Sequence, residues 1–353
     1  MVEALVSAWH NSFRLLLRPF TSRRWITLSA VCLLLGGGTW SAAFQWAFGA
    51  LPEDLHAAQP LVQLRQAIGQ SPTLVVLAVL VTLSLILLHI YLRSVFRFVL
   101  VEAVIRGEVE VGARWKALRP LGHSYFRWTL GVLSAILMLI GGITLASFRY
   151  IHLVRQEGHP GWIAPLLLVV ELVAIVIIGL AIAVFITLTD DLVTPVMYAE
   201  GGSPLAAWKT VGKLWRAEPG TFLFYIVLRF TLSLGISAAV LFVLFPLLAA
   251  LSAGALLAAT LITFSLHQLG LIWTWNPLTV TLGLLALGTL TLLVFALLSV
   301  AGMPGQVYMQ NLGVRFVASR VSSLDDLCHP PGARVPETAV LPFDQGENSL
   351  GAA

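Results

Sequence analysis

Long runs of apolar residues, separated by short polar segments, dominate the hydropathy pattern of this chain. Six runs each come close to the roughly 20 residues that cross about 30 Å of hydrocarbon. Because backbone amides cannot stay unpaired in lipid, each run is predicted to be a helix. The runs are approximately 25–48, 73–92, 128–148, 162–188, 221–247 and 277–301. The pattern therefore predicts an all-α fold, a polytopic transmembrane helical bundle with about six spans.

Residues 248–275 form a further apolar stretch whose placement the pattern leaves open. Without a charged residue, it fits a seventh span as well as a re-entrant or interfacial hairpin. With the N-terminus inside, six crossings place 16 bases on the inner side and 3 on the outer side, as the positive-inside rule expects. A seventh crossing would move Arg315 and Arg320 outside. We therefore predict six spans in the cytoplasmic (inner) membrane, both termini in the cytoplasm, and 248–275 as an outer apolar excursion.

The first 24 residues are predicted to form an amphipathic helix in the membrane interface. Their apolar side chains recur at helical spacing, at Leu5, Trp9, Phe13, Leu16 and Phe20. Asn11, Arg14 and Arg18 point elsewhere, so the arginines can face lipid phosphates. An ordinary helix packed on the membrane domain is the equal alternative.

A second short helix is predicted after Ser203-Pro204, since serine is a common N-cap and proline is favoured at the first helical position. Leu205, Trp208, Val211 and Trp215 form one face of this helix, and Lys209, Lys213 and Arg216 form another. Such a helix suits the surface of the inner leaflet. The candidate inner-leaflet contacts are Arg14, Arg18, Lys209, Lys213 and Arg216.

Composition excludes whole classes of protein and divides the chain into three parts. With 58% hydrophobic and 11% charged residues, a soluble enzyme and a disordered protein are both excluded. We predict an interfacial helix over 1–24, a transmembrane domain over 25–320 and an acidic, disordered tail over 321–353. The tail holds one base and five acids, against 20 bases and 12 acids in residues 1–320. Those bases are scattered between apolar runs, so nucleic acid is not an expected partner. Membrane lipids are, with a protein partner or a homo-oligomer as alternatives.

Few ionisable residues lie inside the predicted spans, and such residues are candidates for function. Glu171 lies roughly 13 Å from the outer end of its span, and Arg229 about 12 Å from the inner end. On adjacent antiparallel helices these depths place the two residues too far apart to form a pair. Arg229 is therefore expected to reach Asp190 or Asp191. A tie between Asp191 and Arg229 either fixes how two helices dock or belongs to a polar vestibule for a headgroup or an ion. Glu171 is either a proton or cation site or a protonated, hydrogen-bonded carboxyl group.

The sequence predicts no catalytic, cofactor-binding or metal-binding residue. It lacks a phosphate-binding P-loop and the paired histidines of zinc enzymes. Asp190 and Asp191 would point about 100° apart on a helix, and no second acidic cluster accompanies them, so a metal site is not expected. Ser237 with His267 faintly resembles an intramembrane serine protease, but the residue after this serine is alanine. Gly36-Gly37-Gly38 and Gly141-Gly142 suggest close contacts between helices or kinks, in preference to a ligand-binding loop.

Three stretches together resemble a bacterial family of uncharacterised multi-pass membrane proteins. They are 17–25 (LRPFTSRRW), 93–98 (RSVFRF) with Trp115 and 123–126 (HSYF), and 191–198 (DLVTPVMY) with 206–208 (AAW) and 219–222 (PGTF). This family is similar to the membrane domain fused to some glycerophosphodiester phosphodiesterases. The resemblance implies a helical domain in the cytoplasmic membrane without an established activity. No segment of this chain approaches the size of the fused phosphodiesterase domain, so no catalytic residue can be carried over.

These observations favour a non-enzymatic membrane protein that organises lipid or binds a partner. A transporter or channel for a small or lipid-like solute is the first alternative, supported by Glu171, Arg229 and the 248–275 stretch. The scarcity of polar residues within the spans and the lack of an evident inverted repeat speak against it. An intramembrane enzyme that acts on lipid or protein is the second alternative, and it lacks the residues for the chemistry.

Overall fold

The fold is helical throughout the part of the chain that the computed structural model describes. That part comprises residues 2–17, 21–35, 71–108, 111–156, 163–268 and 277–328. Its helices are α1 (Val2–Leu17), α2 (Ser22–Leu35), α3 (Pro72–Arg106), α4 (Val111–Gln156), α5 (Ile163–Leu188), a π-helix (Thr189–Val193), α6 (Thr194–Glu200), α7 (Pro204–Ala217), α8 (Pro219–Gln268), α9 (Pro277–Ala318) and α10 (Ser322–Cys328). The all-α prediction is confirmed.

Five of the described helices are long and apolar enough to cross a membrane, namely α3, α4, α5 with its continuation to Glu200, α8 and α9. Each contains one of the runs that were predicted as spans. The first predicted span, 25–48, is described only as far as Leu35, so a total number of spans is not established by these residues. Serine N-caps mark helix starts as the sequence suggests: Ser71 accepts a hydrogen bond from the amide of Leu74, and Ser203 from that of Ala206.

Packing is concentrated at one end of the long helices. This packed end comprises 93–106 of α3, 114–128 of α4, 188–200 of α5, the π-helix and α6, 219–229 of α8 and 303–318 of α9. Its core contains the fully buried side chains Phe98, Leu192, Phe222, Tyr225 and Phe316, among others. The helices α1, α2, α7 and α10 pack around the same core.

The remaining parts of the five long helices form apolar limbs that extend from the packed end. In α3, α4 and α5 no residue of the most apolar stretch is buried, and the buried share is 6% in α8 and 28% in α9. Large apolar side chains between Leu74 and Leu88 are each 37–61% exposed. The long helices therefore meet at one end, instead of packing along their apolar stretches as the predicted bundle would.

The 248–275 stretch continues the fifth predicted span without a turn as far as the structure describes it. Helix α8 runs through Pro246 to Gln268, and at about 1.5 Å per residue its 50 residues extend roughly 75 Å. A hairpin within 248–268 is thus absent, and residues 269–276 lie outside the described residues.

Both ends of the described chain attach to the packed end. Asn311 of α9 donates hydrogen bonds to the carbonyl of Ala8 (3.2 Å) and to Ser12 Oγ (3.1 Å) of α1. Helix α10 buries Leu324 completely. Ser322–Cys328 therefore forms an ordered helix where the sequence predicted the start of a disordered tail, because Leu324 reaches the core. The remainder of the predicted tail, 329–353, lies outside the described residues.

Candidate functional site

A π-helix at the centre of the packed end directs two adjacent acids, Asp190 and Asp191, toward different neighbouring helices. Residue 195 is proline, which has no amide hydrogen and whose ring would clash with the carbonyl of Asp191 in a regular α-helix. The helix widens there instead, so that the backbone amide of Thr194 donates a hydrogen bond to the carbonyl of Thr189, five residues back. Such single-turn π-helices are frequent at functional sites.

Asp190 is bound by side chains from α3 and α4. Arg97 Nη2 lies 2.8 Å from Asp190 Oδ2, and Arg93 Nη2 lies 3.4 Å from the same oxygen. The hydroxyl of Tyr125 donates a short hydrogen bond to Oδ1. Both carboxylate oxygens are thus satisfied, which a buried carboxylate requires. Asp190 connects the π-helix to α3 and α4.

Asp191 faces α8 instead. Arg229 Nε lies 2.5 Å from Asp191 Oδ2, and the hydroxyl of Tyr225 donates to the same oxygen at 3.3 Å. The side chain of Asp191 is 4% exposed and that of Arg229 is 18% exposed, so the pair is largely removed from solvent. A pair of this kind is tolerated only when both charges stay matched.

Helix α9 packs against the backbone of the π-helix through a glycine. A Cβ atom at Gly313 would lie 2.5 Å from the carbonyl oxygen of Asp191 and 3.1 Å from its Cβ. These distances leave no room for a side chain, so glycine at 313 permits the close approach. The carbonyl of Asp191, which Pro195 cannot bond because it has no amide hydrogen, therefore lies at the contact between the π-helix and α9.

We call this set of residues the ionic centre; it consists of Arg93, Arg97, Tyr125, Asp190, Asp191, Tyr225 and Arg229. Three arginines face two aspartates, so the centre carries one excess positive charge. The side chain of Arg93, at the edge of the ionic centre, is 40% exposed. Arg97 Nε is buried without a hydrogen-bond acceptor. The centre thus joins α3, α4, the π-helix and α8 at one level, and it retains donor capacity at Arg97 Nε.

A second ionic cluster lies further along α3, beyond the ionic centre. Glu102 Oε1 pairs with Arg106 Nε at 3.0 Å and with Arg114 Nε at 3.3 Å. These residues line a cleft together with Val99, Ala103 and Glu108. Glu102 is 5% exposed, and its Oε2 atom is buried without a donor. This cluster ties the end of α3 to the start of α4.

The structure brings together three of the four residues proposed as a polar site within the membrane. Asp190, Asp191 and Arg229 all belong to the ionic centre. Glu171 lies apart on α5, half-buried, and it forms no ion pair or hydrogen bond within the described residues. The inference that Glu171 and Arg229 are too far apart to pair agrees with this placement.

The proposed inner-leaflet contacts lie on the surface wherever the structure describes them. Arg14, Lys209, Lys213 and Arg216 are exposed, and Arg18 lies outside the described residues. The apolar face predicted for the first helix is divided: Leu16 packs into the core, whereas Trp9 and Phe13 are 62% and 45% exposed.

Sequence reasoning missed Arg93, Arg97, Tyr125 and Tyr225 as members of the centre. The first three occur in segments that carry the family resemblance, but an arginine near the end of a span is as easily assigned to the inner surface. The signal that could have found the arginines was the charge balance. Two buried acids with a single arginine carry a net negative charge, so further cations were needed beside them. Within the residues that the structure describes, no group of three or more His, Cys, Asp or Glu side chains could hold a metal ion.

Comparison with known families gives one match. A model for a family of unknown function, DUF7544, matches residues 1–327. Because this match covers most of the chain, the chain belongs to this family. No curated protein and no solved structure matches it. No link to the glycerophosphodiester phosphodiesterases is shown, so that part of the resemblance stays a prediction.

Proposed function

We propose that the protein is a non-enzymatic integral membrane protein of the cytoplasmic membrane that organises lipid between its apolar limbs. In this proposal the packed end lies at the cytoplasmic face, with both termini in the cytoplasm. The observation that carries the proposal is the exposure of the limbs, whose most apolar stretches are unburied in α3, α4 and α5. In a membrane this surface must be covered by acyl chains or by protein.

Acyl chains are the covering that the limbs fit best. On α5, Leu168, Val169 and Val170 are 54%, 57% and 57% exposed, and consecutive helical residues point about 100° apart. Apolar exposure therefore extends over more than half of the helix circumference, and the remaining face, which includes Ala174, Ile178 and Ile182, is half-buried. A close protein interface is enriched in small residues, whereas the exposed face of α5 carries the large apolar side chains Leu168, Val169 and Val170, which suit contact with acyl chains.

The charges support placing the packed end on the cytoplasmic face. Lys209, Lys213 and Arg216 are exposed on α7, and Arg14 is exposed on α1. An anionic inner leaflet attracts exposed bases near its surface. The opposite ends of the limbs carry few bases, in agreement with the positive-inside rule.

Helix α1 adds an apolar surface beside these bases. Val6, Trp9, Phe13 and Leu17 recur every three or four residues and are 52%, 62%, 45% and 41% exposed. The other side of α1 packs on α9, with Ala8 completely buried. A helix that is fixed on one side and apolar on the other can insert its outer side among acyl chains and headgroups.

Native mass spectrometry of the protein purified in a mild detergent tests the proposal. We expect a monomer that retains several phospholipid molecules through gradual activation in the gas phase. A lipid-free homo-oligomer that is stable under the same conditions would contradict the proposal, since subunits would then cover the limbs. Substrate turnover by the purified protein on phospholipid would contradict the non-enzymatic part.

A further inference from the structure

The first third of α4 carries bases on its outer surface and no acid to neutralise them. Lys116, Arg119, His123 and Arg127 are all exposed, and at about 100° per residue they fall within roughly 80° of the helix circumference. Helix α4 contains no Asp or Glu in its 46 residues. We call these four residues the α4 basic stripe.

The α4 basic stripe is separate from the ionic centre. Tyr125, which binds Asp190, points to the opposite side of α4, where Leu118 and Gly122 pack against α3. Lys116, Arg119 and Arg127 form no ion pair with any residue that the structure describes. The charge of the stripe is therefore available to a partner outside the chain.

The register of α4 places two residues of the stripe, Arg127 and His123, at the depth of lipid headgroups. The predicted span within α4 begins at Trp128, so the backbone of Arg127 lies about 1.5 Å outside it and that of His123 about 7.5 Å. The headgroup zone on each side of a bilayer is about 5–8 Å thick. Both residues therefore fall in or at the edge of this zone.

The side chain of Arg119 is drawn toward the same depth. Its Nε donates to the hydroxyl of Tyr91 at 3.2 Å, and Tyr91 adjoins the end of the α3 limb. The ring of Phe126 contacts Tyr91 edge-on, with 5.5 Å between ring centroids. This contact holds the phenol in place, so the hydrogen bond ties Arg119 to a residue at the end of the α3 limb. Arginine presents several donors that match phosphate oxygens.

We infer that the α4 basic stripe binds the phosphate groups of anionic phospholipids in the cytoplasmic leaflet. The inference deepens the proposed function and rests on it, because it names the headgroup chemistry that the lipid-organising domain selects. Arg119 and Arg127 supply the charge-assisted hydrogen bonds, and Tyr91 holds Arg119 in position.

Reconstitution in nanodiscs of phosphatidylcholine with phosphatidylglycerol tests this inference. After extraction, native mass spectrometry gives the ratio of anionic to zwitterionic lipid that stays bound to the full chain. We expect enrichment of the anionic lipid in the wild type. Since each base near an anionic surface contributes about 1 kcal/mol, Arg119→Gln or Arg127→Gln lowers this enrichment about fivefold. The double variant loses more than about tenfold.

Arg149→Gln is the matched control, since Arg149 is exposed at the far end of the same helix and the charge change is identical. We expect it to keep the wild-type ratio. An unchanged ratio in a folded Arg119→Gln/Arg127→Gln variant, checked by circular dichroism, would overturn the inference. So would loss of the enrichment on adding millimolar inorganic phosphate at constant ionic strength, because the stripe would then bind a free anion. Total retained lipid reports separately on the proposed function, so the two can fail independently.

Discussion

Asp191 and Arg229 show how one buried pair depends on both of its charges. Replacing Asp191 with Asn leaves the guanidinium of Arg229 without a countercharge in a site that is largely removed from solvent. Loss of one partner of such a pair costs about 3–5 kcal/mol. We expect Asp191→Asn to lower the free energy of unfolding by this amount, measured by reversible SDS denaturation in mixed micelles.

Glu171→Gln is the control for this prediction, because Glu171 is half-buried and forms no ion pair within the described residues. Its effect should stay below about 0.5 kcal/mol, as is usual for substitutions away from a network. Replacing Arg229 with Met in the Asp191→Asn background should recover part of the loss, since no unmatched charge remains. Equal effects of Asp191→Asn and Glu171→Gln would contradict the role that the structure assigns to the pair.

The sequence was sufficient to pair Arg229 with the two adjacent acids, because helical rise alone fixes its depth. It was not sufficient to assign Arg93 and Arg97 to Asp190. That contact depends on how α3 lies beside α5, and on the extra residue that Pro195 introduces into the helical turn. A regular α-helix would aim the two carboxylates differently, so periodicity could not supply their directions.

At the scale of the elements, the contact of α9 with the π-helix depends on Gly313. A Cβ at this position would lie 2.5 Å from the carbonyl oxygen of Asp191. We expect Gly313→Ala to destabilise the protein by about 1–3 kcal/mol, the usual cost of overpacking. Thermal unfolding in detergent, followed by circular dichroism, measures the change.

Gly302→Ala is the matched control on the same helix, since a Cβ at Gly302 would meet no atom within 4 Å. There the higher helix propensity of alanine should leave stability unchanged or raise it by up to about 1 kcal/mol. If both alanine variants were as stable as the wild type, the close approach of α9 would be contradicted.

The fixed side of α1 gives a second prediction at this scale. Asn311→Ala removes the two hydrogen bonds that the Asn311 amide donates to α1. We expect α1 to open more often, so that trypsin cleaves at Arg14 several times faster than in the wild type while the rest of the chain stays resistant. Unchanged cleavage at Arg14 would contradict the contribution of Asn311 to holding α1 on α9.

The helices and their starts could be predicted at this scale, because hydropathy and serine N-caps are local signals. Close helix contacts could not. The sequence drew attention to Gly141-Gly142, yet a Cβ at either residue would meet nothing within 4 Å, whereas Gly122, Gly305 and Gly313 each lie against a neighbouring helix. Which glycine faces a partner depends on the helix arrangement, which a single sequence does not contain.

At the scale of the whole molecule, Cys328 reports on which face of the membrane the packed end lies. Burial raises the pKa of its thiol, the charge of Asp325 adds to this effect, and Arg315 opposes it. The thiolate fraction at neutral pH is therefore small, and alkylation should be slow and accelerate toward higher pH. In a Cys32→Ala background, a membrane-impermeant maleimide should label Cys328 in inverted vesicles and leave it unmodified in intact cells.

Arg149→Cys in a background without both native cysteines supplies the opposite control, since Arg149 lies near the far end of the α4 limb. This residue should be labelled in intact cells. Labelling of Cys328 from outside would reverse the proposed topology and would also remove the α4 basic stripe from the cytoplasmic leaflet.

The presence of helices long and apolar enough to cross a membrane follows from composition, but the open arrangement of the limbs does not. Hydropathy shows that a side chain avoids water, and it cannot distinguish a lipid neighbour from a protein neighbour, because both are apolar. The distribution of charge indicated this arrangement better than hydropathy did, since most bases and the buried acids lie at the packed end, where the helices converge.

Oxygen accessibility of spin labels on the α5 limb tests the central claim, that lipid covers the exposed faces of the limbs, most directly. Val170 and Leu172 are 57% and 61% exposed and lie roughly 200° apart around the helix. Cysteine variants at the two positions, labelled and studied by electron paramagnetic resonance in proteoliposomes, report the two sides separately. The account predicts high oxygen accessibility at both positions, whereas high accessibility at one and low accessibility at the other would show that protein covers the limb and would contradict it.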